Sequence, residues 1–422
     1  MMASSLFDQV SRETKTHDDD GAFWWGMFGQ SLATLLNANQ YGEDEQLYYL
    51  RFLRQWVVRA LGPRPVAGKP YFPATLTYDG SPLELSLNWK EKVGQTVRFT
   101  TEPSTEKAGT AADPMNQLAA QSLLTAMAKD VPGIDLTRFH LFLEATGVPD
   151  AAAEEVWAKF PPLPRCRVLL AYDLEKGAIG TKAYFNPVHR AIFQGTSTKT
   201  VVFDAIRKCN GPYGSYDVSV EALDACMSSN PAPDGPQIFL LAHDCVPDSA
   251  ASRNKVYVSF PTTSLAAALD AFSLGGRLTG SATEAGLEAI KSFWCHLFGL
   301  DPAAPDVMKD VLPAGNRCSF VYEMRPSPPD RQDPNIEVKM HMPASWLGET
   351  DAEVSQVLST WFQKHSSSDL AARYQSDLAS TFPKIDLAAP GKLTHTWVSL
   401  TWTKKTGLYM TMYYSPQITQ FY

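Results

Sequence analysis

Hydrophobic and polar positions along this chain follow two periods, one typical of α-helices and one typical of β-strands. Apolar residues first recur at helical spacing in residues 22–39 and again in residues 45–62. Polar and apolar residues then alternate one by one in residues 75–89, where Asp79-Gly80 is a turn signal, and in residues 95–103. The predicted order of this first unit is helix, helix, strand, strand.

The same order recurs four more times, in residues 115–187, 201–261, 264–343 and 351–414. In the second unit the two strands form a predicted hairpin with its turn near Glu175-Lys176-Gly177. Antiparallel strand pairs that are always separated by helices fit a closed barrel. We therefore expect an α+β fold: a ten-stranded antiparallel β-barrel ringed by helices and built from five ααββ repeats.

The strand faces of this predicted barrel differ in polarity, so the polar faces would line the lumen and the apolar faces would meet the helices. A barrel with this many strands has a lumen wide enough for ligands. The linkers between units are short, and none resembles a domain break. We expect a single barrel domain over residues 21–422, preceded by a flexible, charged lead over residues 1–20.

Composition narrows the class of protein. The formal net charge of −8 argues against a nucleic-acid partner. The six cysteines show neither a CxxC pattern nor zinc spacing, which predicts reduced thiols. The first twenty residues lack the apolar segment of a secretory signal, and polar residues interrupt the long uncharged run at residues 22–42. These features predict a soluble, cytoplasmic monomer or homodimer without a membrane partner.

Cations and tyrosines occupy alternate positions in five predicted strands. The segments begin at Arg98, Lys182, Arg253, Lys339 and Tyr409. Because a strand sends alternate side chains to one face, each segment aims its Lys, Arg or Tyr one way and its apolar residues the other. Five such strands from five similar units predict one cationic, tyrosine-lined cavity that suits a diphosphate.

Eight short motifs surround these positions in a fixed order. They are Leu83-Glu84-Leu85-Ser86, Thr96-Val-Arg98-Phe-Thr100-Thr-Glu-Pro103, Lys182-Ala-Tyr184-Phe185, Arg253-Asn-Lys255-Val-Tyr257, Leu274-Gly-Gly-Arg-Leu278, Tyr322-Glu-Met324, Lys339-Met-His-Met-Pro343 and Tyr409-Met-Thr-Met-Tyr413. Together they resemble the fungal aromatic prenyltransferases of the dimethylallyltryptophan synthase family, over roughly residues 20–415. The resemblance implies the αββα prenyltransferase barrel (ABBA barrel) with its active site inside.

The resemblance also implies the chemistry. Such enzymes join an allylic diphosphate to an electron-rich aromatic ring, and the departing diphosphate needs fixed positive charge. The family's diphosphate ligands match Arg98, Lys182, Arg253, Lys255, Lys339 and Tyr409. The tyrosines that shield the allyl cation match Tyr184, Tyr257, His341 and Tyr413. Histidine stands where relatives usually carry tyrosine; a neutral imidazole would still shield the cation, whereas a protonated one would repel it.

Glu84 matches the family's acceptor-side carboxylate, and it shares a strand face with Ser86 and Asn88. A carboxylate that accepts the indole N–H would orient the ring for attack; without the family context, Glu84 would be a surface residue on an edge strand. Relatives that use tryptophan carry a lysine, a candidate base, where this chain has Leu169. The base therefore stays unassigned, and a cyclic dipeptide or larger indole alkaloid is expected over free tryptophan.

Two further expectations concern the donor. Met324 matches the position that limits the depth of the prenyl pocket in relatives, which favours a five-carbon donor. The chain has no DDxxD pattern for magnesium, because Asp18-Asp19-Asp20 has the wrong spacing. Protein cations are expected to replace the metal, so we expect no cofactor.

The sequence thus predicts a dimethylallyltransferase. It would move a dimethylallyl group from dimethylallyl diphosphate to an indole acceptor, such as a tryptophan-containing cyclic dipeptide, by metal-independent Friedel-Crafts alkylation in secondary metabolism. One alternative is the same family acting on a phenolic, tyrosine or xanthone acceptor. Another, of a different class, is a non-catalytic barrel that binds an anionic metabolite.

Overall fold

The strands of the protein close into one antiparallel barrel in the computed structural model, which describes residues 2–13, 18–67, 69–159, 166–229 and 235–418. The strands are β1 Leu83–Lys90, β2 Gly94–Thr101, β3 Val168–Glu175, β4 Ala178–Phe185, β5 Gln237–Asp244, β6 Asn254–Pro261, β7 Arg317–Met324, β8 Ile336–Pro343, β9 His395–Thr403 and β10 Gly407–Tyr414. Each strand pairs with its neighbours in sequence, and β1 closes the barrel on β10. The predicted ten-stranded antiparallel barrel is confirmed.

Helices lie between the hairpins and cover the outside of the barrel. They are α1 Met2–Glu13, α2 Asp19–Trp24, α3 Gln30–Ala38, α4 Glu43–Phe52, α5 Leu118–Asp130, α6 Thr137–Ala145, α7 Ala153–Lys159, α8 Val188–Gln194, α9 Thr198–Arg207, α10 Asp217–Ser228, α11 Leu265–Ser273, α12 Ser281–Phe298, α13 Asp351–Lys364 and α14 Ser368–Thr381. Short π-helical turns continue α2 and α4. None of the helices in the described part of the chain is long and apolar enough to cross a membrane.

Local sequence sets several helix starts. Thr350 and Glu353 form a capping box at α13, where the Glu353 N–H donates to Thr350 Oγ1 at 3.1 Å and the Thr350 N–H donates to Glu353 Oε2 at 3.1 Å. Ser264 accepts from the first turn of α11 in the same way. These bonds satisfy backbone donors that have no partner within the helix.

The hydrophobic core lies between the barrel and its helices. Alternate residues of each strand point outward, and on β6 these are Val256 and Val258, both fully buried. Met340 on β8 and Met410 on β10 are buried in the same core. The other strand face is thereby turned into the lumen, which is where the predicted cations lie.

Two predictions about the first strand and the N-terminus are wrong. The segment before Leu83 is irregular rather than a strand, because the Thr77 hydroxyl accepts from the Ser81 N–H at 2.8 Å and holds a turn around Asp79-Gly80. The flexible lead is wrong for Met2–Glu13, which forms α1. Leu6 and Val10, four residues apart, are buried on one face of this helix.

Candidate active site

One end of the lumen contains a cavity of about 570 Å³. The strand register brings most of the predicted site residues to its wall. These are Arg98, Lys182, Tyr184, Arg253, Lys255, Tyr257, Lys339, His341, Tyr409 and Tyr413. Residues that are more than 300 positions apart in the chain thus face one space, as the alternation of the strands predicts.

Asp173 lies between the first two cations of this wall. The residue is on β3, directly opposite Arg98 of β2 in the strand register. Its two carboxylate oxygens accept separate bonds, one from Arg98 and one from the ammonium of Lys182. Both cations are almost fully withdrawn from solvent, so this carboxylate compensates charge that water does not.

Asp244 and Glu323 hold the other three cations. Lys255 Nζ lies 2.7 Å from Asp244 Oδ1, and Arg253 lies 2.7 Å from Asp244 Oδ2. Arg253 also donates to Glu323 Oε2 at 2.8 Å, while Lys339 Nζ lies 3.9 Å from Glu323 Oε1. Arg253 therefore joins two carboxylates into one chain of charges across β5, β6, β7 and β8.

The cations keep these carboxylates ionised. Burial would raise the pKa of Glu323, but Arg253 and Lys255 outweigh it and lower the pKa to about 2. The pKa values of Asp173 and Asp244 are lowered for the same reason, by Arg98 and Lys255 respectively. Asp173, Asp244 and Glu323 thus carry three negative charges against five positive ones on the cations that they contact, and this set of ion pairs keeps a surplus of positive charge.

The surroundings of Lys182 weaken its positive charge. Burial, helped by repulsion from Arg98, lowers the pKa of its ammonium to about 8 despite the bond to Asp173. Arg98 and Arg253 behave in the opposite sense: burial lowers their pKa values, but Asp173 and Glu323 outweigh it and raise them above the usual value for arginine. Positive charge in the cavity therefore begins to fall as pH rises through about 8.

Aromatic rings form a continuous wall beside the cations. The ring centroids of Tyr184 and Tyr257 are 5.9 Å apart, those of Tyr257 and His341 are 6.0 Å apart, and those of His341 and Tyr413 are 5.7 Å apart. Burial, followed by repulsion from Lys339, lowers the pKa of His341 to about 3. The imidazole is therefore neutral near pH 7. Of the two forms considered for this residue, the neutral ring that would shield an allyl cation applies, and the protonated ring that would repel it does not.

Tyr409 connects the aromatic wall to the cations. Lys339 Nζ lies 4.0 Å from the centre of its ring, and Asn88 donates to its hydroxyl oxygen at 3.0 Å. Burial would raise the pKa of Tyr409, but the charges of Lys339 and Arg98 outweigh it and lower the pKa to about 8. The hydroxyl is thus an acidic phenol aimed at the cationic part of the cavity.

Glu84 lies outside the lining of this cavity, further along the same lumen face of β1. Asn88 and Lys90 of that face line the cavity, and Ser86 lies opposite Tyr413 of β10 in the strand register. Glu84 is 5% exposed and accepts a 2.6 Å hydrogen bond from Thr396. Burial raises its pKa to about 8. Glu84 is therefore not a surface residue on an edge strand, because β1 pairs with both β2 and β10 in the closed barrel.

The placement of Met324 in the prenyl pocket is wrong. Its neighbours Val321 and Glu323 line the cavity, so the alternation of β7 turns Met324 to the outer face. On that face Tyr322 donates to the carbonyl of Ala271 in α11 at 2.7 Å, and Met324 is fully buried in the same core. The apolar β7 residue that lines the cavity is instead Val321, which lies opposite Tyr257 in the strand register.

Sequence reasoning did not identify the three carboxylates, although a signal for them exists. Asp173, Asp244 and Glu323 each follow a ring residue near the end of a strand, in Tyr172-Asp173, His243-Asp244 and Tyr322-Glu323. In each pair the ring is buried on the outer face; Asp173 and Glu323 line the cavity, and Asp244 contacts Lys255 of its wall. All three carboxylates form ion pairs with lysines and arginines of the cavity wall. Within the described ranges, no group of three or more His, Cys, Asp or Glu residues is arranged to hold a metal ion.

Comparison with known proteins agrees with this geometry. The model of the tryptophan dimethylallyltransferase family matches residues 20–377. The prenyltransferase iacE of Pestalotiopsis fici is 48% identical, over 98% of this chain and 95% of that protein. The indole diterpene prenyltransferase ptmD of Penicillium ochrochloron is 30% identical, over 95% of this chain and 94% of that protein.

A solved structure has the same fold. The crystal structure of AnaPT from Neosartorya fischeri superposes with a TM-score of 0.85 at 26% identity, and the match covers 97% of this chain and 98% of that one. The fold is shared with this structure, the lumen is cationic and aromatic, and the relatives are named prenyltransferases. These findings agree on the family of the chain. The protein is a prenyltransferase that belongs to the tryptophan dimethylallyltransferase family of fungal indole prenyltransferases.

Proposed function

We propose that the protein transfers a dimethylallyl group from dimethylallyl diphosphate to an indole acceptor without a metal ion. The observation that carries this proposal is the layer of five cations, three of them buried lysines, beside a wall of four neutral aromatic rings. The first layer suits an anion that gains charge as the C–O bond breaks, and the second suits the cation left behind. The family name and the name of the relative ptmD support an indole acceptor.

In the proposed reaction the cations act first, on the leaving diphosphate, and the aromatic rings act next, on the allyl cation. The allylic C–O bond breaks, and diphosphate leaves with the bonding electron pair toward Arg98, Lys255 and Lys339. The allyl cation remains against the faces of Tyr184 and Tyr257 until a ring carbon of the acceptor supplies the electrons of the new C–C bond. The ring then loses a proton, or closes onto a neighbouring nucleophile if attack occurs at indole C3.

Glu84 is the group that favours indole over a phenol. Its carboxyl lies beyond the aromatic wall and near Tyr413: burial is the main cause that raises the pKa of that phenol, and the charge of ionised Glu84 adds to the rise. An acceptor between the two would place its N–H toward Glu84 and its reacting carbon toward the allyl cation. The same strand register turns Leu169 toward Tyr184, so the position that is lysine in tryptophan-using relatives carries no base here. We propose a tryptophan-containing cyclic dipeptide or a related indole alkaloid as the acceptor.

The test is turnover of dimethylallyl diphosphate in the presence of EDTA with a panel of acceptors. The panel contains tryptophan, tryptophan-containing cyclic dipeptides, an indole diterpene, tyrosine and simple phenols. A prenylated indole formed at an undiminished rate in EDTA is the expected result. Product from phenols alone would favour the phenolic, tyrosine or xanthone alternative, and activity that EDTA abolishes and magnesium restores would refute metal independence.

A further inference from the structure

The carboxylates of the cavity occupy the cations that the proposed donor needs, and this inference rests on the proposed function. Both oxygens of Asp173, of Asp244 and of Glu323 face a cation of the cavity wall. Even-numbered strands supply the lysines, and the odd-numbered strands between them supply the acids. Each of the five cations thus has at least one carboxylate partner within this group.

Such pairing has two consequences for an anionic ligand. Five uncompensated cations in one buried space would repel each other and lose hydration, so the carboxylates lower the cost of keeping them together. The same carboxylates also repel a diphosphate and must share their cations with it. An arrangement of this kind keeps the cations in place and reduces the affinity for diphosphate at the same time.

We propose that Asp244, together with Asp173 and Glu323, is an internal counter-anion that competes with diphosphate for the cavity cations and thereby promotes release of the product diphosphate. Asp244 is the member chosen for the test, and its two oxygens lie 2.7 Å from Lys255 and 2.7 Å from Arg253. It acts through these side chains and is a positioning residue. When diphosphate leaves, the carboxylates pair again with the cations, so the free cavity does not retain its product.

The substitution Asp244→Asn separates charge from shape, because asparagine keeps the size of the side chain and removes its negative charge. Diphosphate should then bind about tenfold more tightly at low salt, since one repelling charge is gone and two cations are less engaged. The gain should shrink as ionic strength rises. In steady state kcat should fall while a first turnover stays fast, which gives a burst of product.

Asp248→Asn is the matched control, because Asp248 pairs with Arg138 of α6 outside the cavity. The experiment is calorimetric titration of inorganic diphosphate into the full-length wild type and both variants, at two salt concentrations and without acceptor. Tighter binding by Asp244→Asn alone supports the proposal. Unchanged or weaker binding, or equal tightening by Asp248→Asn, overturns it.

Two further points keep the outcomes distinct. If Asp244→Asn does not give a cooperative thermal transition, Glu323→Gln takes its place, because Glu323 engages Arg253 and Lys339 in the same layer. A wild-type protein that binds no diphosphate would overturn the proposed function as well as this inference. Wild-type binding without tightening in either cavity variant overturns this inference alone.

Discussion

Glu84 offers the sharpest test of the site, because one substitution changes both stability and activity in opposite directions. The carboxyl is buried, has Thr396 as its hydrogen-bond donor, and has a pKa raised by burial from 4.5 to about 8. Between these two values the unfolded chain is ionised at this residue while the folded protein holds the proton. The stability of the folded state is therefore complete below pH 4.5 at this residue and falls as pH rises toward 8.

The magnitude follows from the size of the shift. Each pH unit between the two pKa values costs about 1.4 kcal/mol of unfolding free energy, so the full loss approaches roughly 5 kcal/mol above pH 8. Glutamine cannot ionise and escapes this loss. We expect Glu84→Gln to match the wild type in thermal stability near pH 4.5 and to exceed it increasingly up to pH 8.

Activity should move the other way. At pH 7, one unit below its pKa, about a tenth of Glu84 is ionised in the free barrel. If the carboxylate accepts the indole N–H, kcat/KM for the acceptor at saturating donor should rise with pH up to about 8 in the wild type. Loss of a hydrogen bond to a charged group costs about 1.5–3 kcal/mol, so Glu84→Gln should be slower by roughly ten- to a hundredfold at pH 8 and lack this rise.

Thermal melts from pH 4.5 to 9 and initial rates of product formation measure the two effects. An N-methylated indole acceptor is the control, because it has no N–H to donate and should react equally with wild type and Glu84→Gln. Parallel pH–stability curves for the two proteins would show that Glu84 does not titrate as described. A normal rate with the N–H acceptor would refute its role in binding indole.

Three other substitutions test the remaining structure. Because Lys182 and Tyr409 both titrate near pH 8, kcat/KM for the donor should fall above that pH, and Lys182→Arg should move the fall upward; an unchanged profile in Lys182→Arg would remove Lys182 as its cause. Met324→Ala should lower the unfolding free energy by about 2–5 kcal/mol in a denaturant titration and leave the preference for the five-carbon donor unchanged, whereas acceptance of geranyl diphosphate would place Met324 in the pocket. Leu6→Ala should destabilise the protein by about 2–5 kcal/mol if α1 is docked as described, and a loss near zero would indicate a detached helix.

Strand alternation was predicted well because it is a local property. A period of two decides which residues share a face, and Lys255 and Tyr257 face the same way in any antiparallel sheet. The hairpin turn at Glu175-Lys176-Gly177 was also predicted, and the structure has β3 ending at Glu175 and β4 starting at Ala178. Glycine at this turn has φ of +72°, a conformation that other residues rarely adopt.

Predictions that needed contacts between distant segments were less accurate. Alternation shows that Glu323 and Met324 face opposite ways, but only the pairing of Glu323 with Arg253 shows which of them faces the lumen. The pattern of the first residues indicates a charged lead, because the apolar positions Leu6 and Val10 identify a helix face only when the core that they contact is known. Helix α1 therefore depended on packing, which its own short sequence did not reveal.

The sequence by itself determined the five strand pairs separated by helices, the two faces of each strand and the set of cations and tyrosines on the polar face. Tertiary structure alone decided that Asp173, Asp244 and Glu323 neutralise part of that charge, that Glu84 lies deep enough to hold its proton near pH 7, and that His341 is neutral. The physical reason is that periodicity is fixed by backbone geometry within one strand. Ion pairing and pKa depend on the register between strands and on distance from water, which arise only when the barrel closes.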